Sequence, residues 1–236
     1  LNAERAPLRA PERFFRVPAM AFHRITPAEL GREDIYRYFM EEAPCTYSMC
    51  VDIDVTELRA AAKARGTHFF AAFLYALTKA VNGRREFRMN FDETGALGYY
   101  DAVHPCYTVF HEQSQRFSDV WTRFDEDFDV FYRNYLADRE AYGGAAQAPA
   151  KPYEGGNLFN VSCIPWARFT AFHLHLQKGY RHLPPLFTVG RFAEAGGRTA
   201  VPLAVQVHHA VCDGRHVSLL VADVQRFCTE LAARLA

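Results

Sequence analysis

An alternating run that ends in two histidines and breaks at Asp-Gly into a long helical pattern constrains this chain more than any other stretch. It reads Val205-Gln206-Val207-His208-His209-Ala210-Val211-Cys212-Asp213-Gly214. The period of two through His208 predicts a strand end, and Arg215 to Leu235 carry the period of a helix. A strand that stops in a histidine and turns sharply into a helix holds an imidazole on a stiff mount at a sheet edge. That suits a general base, because proton abstraction needs a heavy-atom approach of roughly 2.6–3.2 Å. Two plainer readings compete: a buried histidine pair satisfied by backbone carbonyls, and a zinc set of His208, His209, Cys212 and His216. The second is the weaker, because adjacent histidines on a strand point to opposite faces and converge poorly on one ion. No metal is therefore expected.

With 236 residues, half of them apolar, the chain can bury a large core in one domain or two small ones. Its 27 Lys and Arg balance 27 Asp and Glu, so charge offers no argument for nucleic acid or an anionic membrane. The six cysteines (Cys45, Cys50, Cys106, Cys163, Cys212, Cys228) form no CxxC and no disulfide framework. Reduced thiols and a cytoplasmic location are expected. No apolar run approaches the ~18 residues of a membrane span. The Arg- and Pro-rich start lacks the apolar centre of a signal peptide.

Residues 1–22 read as an arm and 23–236 as one domain. Thr26-Pro27-Ala28-Glu29 resembles a helix start, with a helix expected toward Glu42 and stopped by Pro44. Strands are expected at Thr46 to Ile53, Cys106 to Glu112, Leu158 to Ile164, Ala167 to Leu176, Pro185 to Arg191 and Thr199 to His208. A hairpin joins Phe87–Phe91 to Ala96–Tyr100. Helices are expected from Asp54 to Gly66, from a Thr67 cap to Val81, and from Asp125 to Arg139. In the last of these, Phe128, Phe131, Tyr132, Tyr135 and Leu136 share one buried face. Ala141 to Gly156 reads as a loop. Strands and helices mix without a boundary, which predicts a single α/β domain.

Val207 to Gly214 resembles, residue for residue, the active-site signature of type A chloramphenicol acetyltransferases. Further segments resemble that family in order and spacing. Asn160-Val161-Ser162-Cys163-Ile164-Pro165-Trp166 is similar to the stretch carrying its oxyanion-stabilising serine, and Phe187-Thr188-Val189-Gly190-Arg191 to its F-T-M-G-K segment. Gly31 to Phe39 is similar to the segment whose arginine pairs with the motif aspartate, and Tyr107-Thr108-Val109-Phe110-His111 agrees with another family stretch. The likeness covers nearly all of the chain beyond the arm.

The resemblance implies a two-layer α/β sandwich, a mixed β-sheet covered by helices, assembled as a homotrimer with sites between subunits. It implies transfer of an acetyl group from acetyl-CoA to a hydroxyl, with chloramphenicol the expected acceptor. His209 is then the general base, Ser162 the oxyanion donor, and Thr188 helps to position a water and the intermediate. Arg32 would pair with Asp213 to hold the turn. Trp166, Arg191 and His68 fall at coenzyme-binding positions, Arg191 and His68 each where a lysine is common. Phe39, Ala43, Tyr47, Thr108, Phe117, Phe172 and Leu174 fall at acceptor-binding positions. Of these, Phe39 stands for a tyrosine, Ala43 for a leucine and Tyr47 for a phenylalanine, and Pro149 stands where another aromatic is usual. The catalytic set is thus kept while the acceptor pocket is altered. Three alternatives stay open: the same fold with a different hydroxyl or amine acceptor, a dihydrolipoamide acyltransferase core, and a non-enzymatic scaffold.

Overall fold

The protein is described by a computed structural model covering residues 20–145, 147–153, 155–176 and 181–236. Residues 1–19, most of the expected arm, lie outside the described residues, and Phe22 already belongs to the first strand. Ten strands and five α-helices follow: β1 Phe22–Arg24, α1 Glu33–Arg37, β2 Thr46–Asp54, α2 Thr56–Arg65, α3 Phe69–Asn82, β3 Met89–Phe91, β4 Leu97–Tyr100, β5 His104–His111, β6 Arg116–Trp121, α4 Phe128–Tyr142, β7 Leu158–Ile164, β8 Leu186–Gly190, β9 Ala193–Ala195, β10 Arg198–His208 and α5 Gly214–Leu235.

The main sheet runs β2-β10-β8-β7-β5-β6, with β9 paired to one end of β10. The pairs β5–β7 and β7–β8 are parallel, while β10 is antiparallel to both β2 and β8. A smaller antiparallel sheet, β1-β4-β3, lies beside it. The expected mixed sheet covered by helices is what the chain forms.

One face of the main sheet packs against the helices. Val201, Leu203, Val205 and Val207 of β10 alternate into that core with Phe187 and Val189 of β8 and Phe159 and Val161 of β7. α5 presents Val217, Leu220, Val224, Cys228, Leu231 and Leu235 to it, all buried. Those positions step by three and four residues, one stripe of a helix, and each large aliphatic among them contributes about 1.5–3 kcal/mol of burial. α3 is buried from Ala71 to Val81 apart from Lys79, as fits a helix wedged between sheet and neighbouring helices. No helix among the described residues is long and apolar enough to cross a membrane.

The structure differs from the sequence expectations at five places, each with a local cause. The helix expected from Thr26 is broken, because Gly31 adopts φ +78° after a single turn in which Thr26 N and Oγ1 donate to Glu29 Oε2. Helix restarts at Glu33 and loosens into a π turn over Tyr38–Glu42. α3 takes no side-chain cap from Thr67, whose N–H instead donates to Ala62 O at the end of α2. α4 starts at Phe128 because Asp127 caps it, accepting from the N–H groups of Asp129 and Val130; Leu136 on that helix stays 39% exposed. Arg116–Trp121 is a strand that was not anticipated, paired to β5 from Phe110↔Phe117 to Cys106↔Trp121.

The fifth difference bears on the site. The expected strand over 167–176 is absent, although its pattern alternates. Both edges of β7 are taken, by β5 and β8, and those of β8 by β7 and β10, so the segment has no ladder to join there. It crosses the sheet face opposite the helices. There Arg191 N donates to Ala167 O at 2.8 Å. A Cβ on Gly190 would sit 2.8 Å from the Phe169 ring and 2.7 Å from Pro202, so this close approach of the segment to β8 and β10 requires glycine.

Candidate active site

β10 ends at His208 and the chain turns at once. His208 O accepts from Val211 N at 3.2 Å and Cys212 N at 3.0 Å, and His209 N donates to Cys45 O at 3.0 Å, just before β2. These bonds fix the His209 backbone from two sides. Its ring is fixed as well: Nδ1 lies 3.2 Å from Cys212 O. In that geometry Nδ1 carries the proton and Nε2 keeps its lone pair, the tautomer a base needs. The Phe39 ring stacks on the imidazole at 4.0 Å and 11°, and Tyr47 meets it edge-on at 5.1 Å and 62°. Ala43 closes the π turn that carries Phe39. The expected acceptor positions Phe39 and Tyr47 thus pack on His209 within one chain.

Asp213 supports the turn from below. Its Oδ1 accepts from Arg215 N at 3.0 Å and His216 N at 3.3 Å, capping α5, while His216 Nδ1 accepts from Asp213 N at 3.1 Å. Its Oδ2 pairs with Arg32 Nη1 at 3.1 Å, and Arg32 Nη2 reaches toward His209 O at 3.5 Å. Burial acts against ionisation of Asp213, but the His216 N–H, the His216 ring and Arg32 outweigh it, holding the carboxyl below its usual value. The pair expected between Arg32 and Asp213 is present. Cys212 is buried, and that burial pushes its thiol up. All six cysteines are free.

Ser162 and Thr188 stand side by side on β7 and β8, and Thr188 in turn faces Ala204 on β10. All three point to the face away from the helices, as does Thr108, whose Oγ1 accepts from Cys163 N at 3.3 Å. β10 ends at His208, four residues beyond Ala204, with His209 in the turn after it, and Ser162 lies two strands across from Ala204. Strand geometry puts Ser162 roughly 16 Å from the end of β10 within one chain, well beyond hydrogen-bond reach. A cleft of about 320 Å³ between α2 and α5, lined by Asp54, Leu58, Gln225 and Thr229, lies at the far end of β10 from His209.

Large side chains are left in solvent on this face. Phe117 is 61%, Trp166 55% and Leu174 39% exposed. Trp166 rests edge-on against Phe110, the cross-strand neighbour of Phe117. Arg191 follows β8, is exposed, and has no carboxylate partner among the described residues. His68, the residue before α3, contacts the rings of Tyr132 and Tyr135 edge-on. Phe69 meets Phe192, which brings His68 to the same end of the molecule as Arg191. Among the described residues no group of three or more His, Cys, Asp or Glu gathers to hold a metal ion.

Gln206 was overlooked in the sequence, although a polar side chain in an otherwise apolar strand was the available signal. Its amide accepts from Leu174 N and donates to Leu174 O, each at 2.8 Å. That bond pair holds the segment carrying Phe172 and Leu174 against the sheet.

Comparison with known proteins identifies the family. A family model described as chloramphenicol acetyltransferase matches residues 20–225. A chloramphenicol acetyltransferase of Campylobacter coli is 41% identical over 206 residues, 87% of this chain and 98% of the relative. One of Clostridium perfringens is 40% identical with the same coverage. Among solved structures, a chloramphenicol acetyltransferase superposes with TM-score 0.77 at 24% identity, covering 88% of this chain and 99% of that one. The dihydrolipoamide acetyltransferase of Azotobacter vinelandii does so with TM-score 0.57 at 14% identity, covering 100% of both chains; at these identities the two structures speak to the fold alone. A histidine held by its own turn, the Arg32–Asp213 pair beneath it, and a family match across most of the sequence lead to one conclusion: this chain belongs to the chloramphenicol acetyltransferase family.

Proposed function

We propose that the protein is an acetyl-CoA-dependent O-acetyltransferase whose acceptor is chloramphenicol, working as a cytoplasmic homotrimer with each site shared by two chains. The observation that carries the reading is the His209 ring, held with Nδ1 on Cys212 O and Nε2 left as acceptor. His209 Nε2 takes the proton of the acceptor hydroxyl as that oxygen forms its bond to the thioester carbonyl carbon. Ser162 of the neighbouring chain donates its hydroxyl to the carbonyl oxygen as charge gathers there, and one such donor is worth ~3 kcal/mol. Thr188, beside Ser162, assists in placing that centre. When the carbon–sulfur bond breaks, the same imidazole returns the proton to the sulfur, so no acetylated side chain intervenes.

The separation of His209 and Ser162 in one chain supports sharing between chains. Two further features support self-association. β2 is an outer strand of the sheet, and the alternating segment containing Leu174 and Leu176 lies exposed. The donor set also suits the co-substrate: Arg191 is a free guanidinium for a phosphate, and Trp166 is an exposed apolar plane for a pantetheine arm.

A second reading, the same transfer to a different hydroxyl or amine, is favoured by Tyr47, whose buried Oη has no hydrogen-bond partner among the described residues. Thiol release from acetyl-CoA with and without chloramphenicol tests the main reading. Chloramphenicol-dependent release that is lost in His209→Ala is expected. Full activity in that variant would remove the base. Slow release that chloramphenicol does not stimulate would favour the second acceptor reading.

A further inference from the structure

The segment 167–176 has a strand's pattern but joins no ladder among the described residues, so other contacts hold its place on the sheet. At Leu174 that role falls to one side chain. Gln206 reaches from β10 on the face away from the helices, is 5% exposed, and answers both the N–H and the C=O of Leu174 at 2.8 Å. A primary amide is suited to this task, because it offers one acceptor and one donor in a plane, as a peptide unit does. The tie extends to β2. Ser48 Oγ lies 3.4 Å from Gln206 Oε1 and 2.8 Å from His173 Nδ1. One orientation satisfies all of these groups: His173 Nδ1–H donates to Ser48, Ser48 donates to Gln206 Oε1, and Leu174 N–H donates to the same oxygen.

We infer that Gln206 is a positioning residue for the acceptor side of the site, clamping Leu174, and with it Phe172 two residues earlier, to β10. The inference rests on the proposed acetyl transfer and goes beyond it by assigning acceptor placement to a residue outside the reacting set. Gln206 lies in the buried run of β10, two residues before its end at His208, so the tie seats the segment on one stiff element. A peptide clamped at both polar groups has little freedom to shift the Leu174 side chain, which is 39% exposed.

The discriminating variants are Gln206→Glu and Gln206→Leu. Glutamate keeps the shape and the bond from Leu174 N–H, but it sets a carboxylate oxygen against Leu174 O; leucine removes both bonds. The readouts are hydrogen exchange of the Leu174 amide and steady-state kinetics with both substrates at matched assembly state. Exchange at Leu174 should rise at least tenfold in Gln206→Leu, and KM for the acceptor should rise roughly 5- to 50-fold in both variants. KM for acetyl-CoA and kcat should stay within about threefold of the unaltered chain. Unchanged Leu174 exchange in Gln206→Leu overturns the clamp. Equal rises in both KM values, tracking a lower melting temperature, overturn the acceptor-specific role. Should the unaltered chain fail to release thiol with chloramphenicol, the proposed function falls, while the exchange measurement still decides the clamp.

Discussion

Replacing Asp213 separates the two tasks its carboxylate performs. Oδ1 caps α5 through Arg215 N and His216 N, and Oδ2 pairs with Arg32. Asparagine keeps a capping oxygen and removes the charge; alanine removes both. Loss of a cap costs about 1 kcal/mol. Stripping the partner from a fully buried charge costs about 3–5 kcal/mol. Here the Arg32 side chain is 12% exposed and that of Asp213 38%, so solvent screening reduces the figure to about 2 kcal/mol.

Asp213→Asn should therefore lose about 2 kcal/mol and Asp213→Ala about 3 kcal/mol, read from urea unfolding at fixed protein concentration. The pH dependence adds a second constraint. A carboxyl held low in the folded state stabilises fully above the unfolded carboxylate value, about 3.9. That stability fades as pH falls through the lowered folded value. The asparagine deficit should be the same at pH 7 and near neutrality's acid side, and should close only below about pH 4. Equal losses for both variants, or an asparagine variant as stable as the unaltered chain at pH 7, would refute the two-task account.

Other consequences follow from named contacts. Ser162→Ala should lower kcat by roughly 10²- to 10³-fold with KM values little changed, as loss of one oxyanion donor does; a purely structural serine would instead lower the melting temperature. Tyr47→Phe deletes a buried hydroxyl that has no hydrogen-bond partner among the described residues. It should leave stability unchanged or raise it by about 1 kcal/mol, and a loss above that size in urea unfolding would place a partner on the hydroxyl. Cys212 and Cys228 are buried with thiols pushed up. Mass spectrometry after alkylation at pH 8 should find both unmodified in the folded protein and modified in denaturant.

Much of the fold was legible because local chemistry and tertiary need coincide. α2 ends where the sequence places its glycine, Gly66 at φ +70°, as a C-terminal glycine suggests. The stripe of α5 and the alternation of β10 likewise serve the core they pack against. Legibility failed where a tertiary partner decided the outcome. The alternating 167–176 segment finds no open ladder beside β7 or β8, and at Leu174 the Gln206 side chain bonds its backbone instead. The capping signal at Thr26 forms its turn, yet Gly31 stops the helix that the signal seemed to start. At the site, Arg32 with Asp213 and Phe39 with His209 were named from the sequence and meet in one chain. Ser162 and His209 do not meet in it, because β7 and the end of β10 are separated along the sheet. Strand alternation in a sequence carries no record of which copy supplies which edge.

The central claim is that His209 of one chain works on a centre held by Ser162 of the next, and subunit complementation tests it most directly. His209→Ala and Ser162→Ala chains, each nearly inactive alone, are denatured, mixed in equal amounts, refolded together and assayed for chloramphenicol-dependent thiol release. Shared sites in a cyclic trimer predict recovery to about a quarter of unaltered activity, since that fraction of random interfaces joins an intact His209 to an intact Ser162. Activity no greater than the average of the two separate variants, in mixtures shown to contain hybrid trimers, would contradict it.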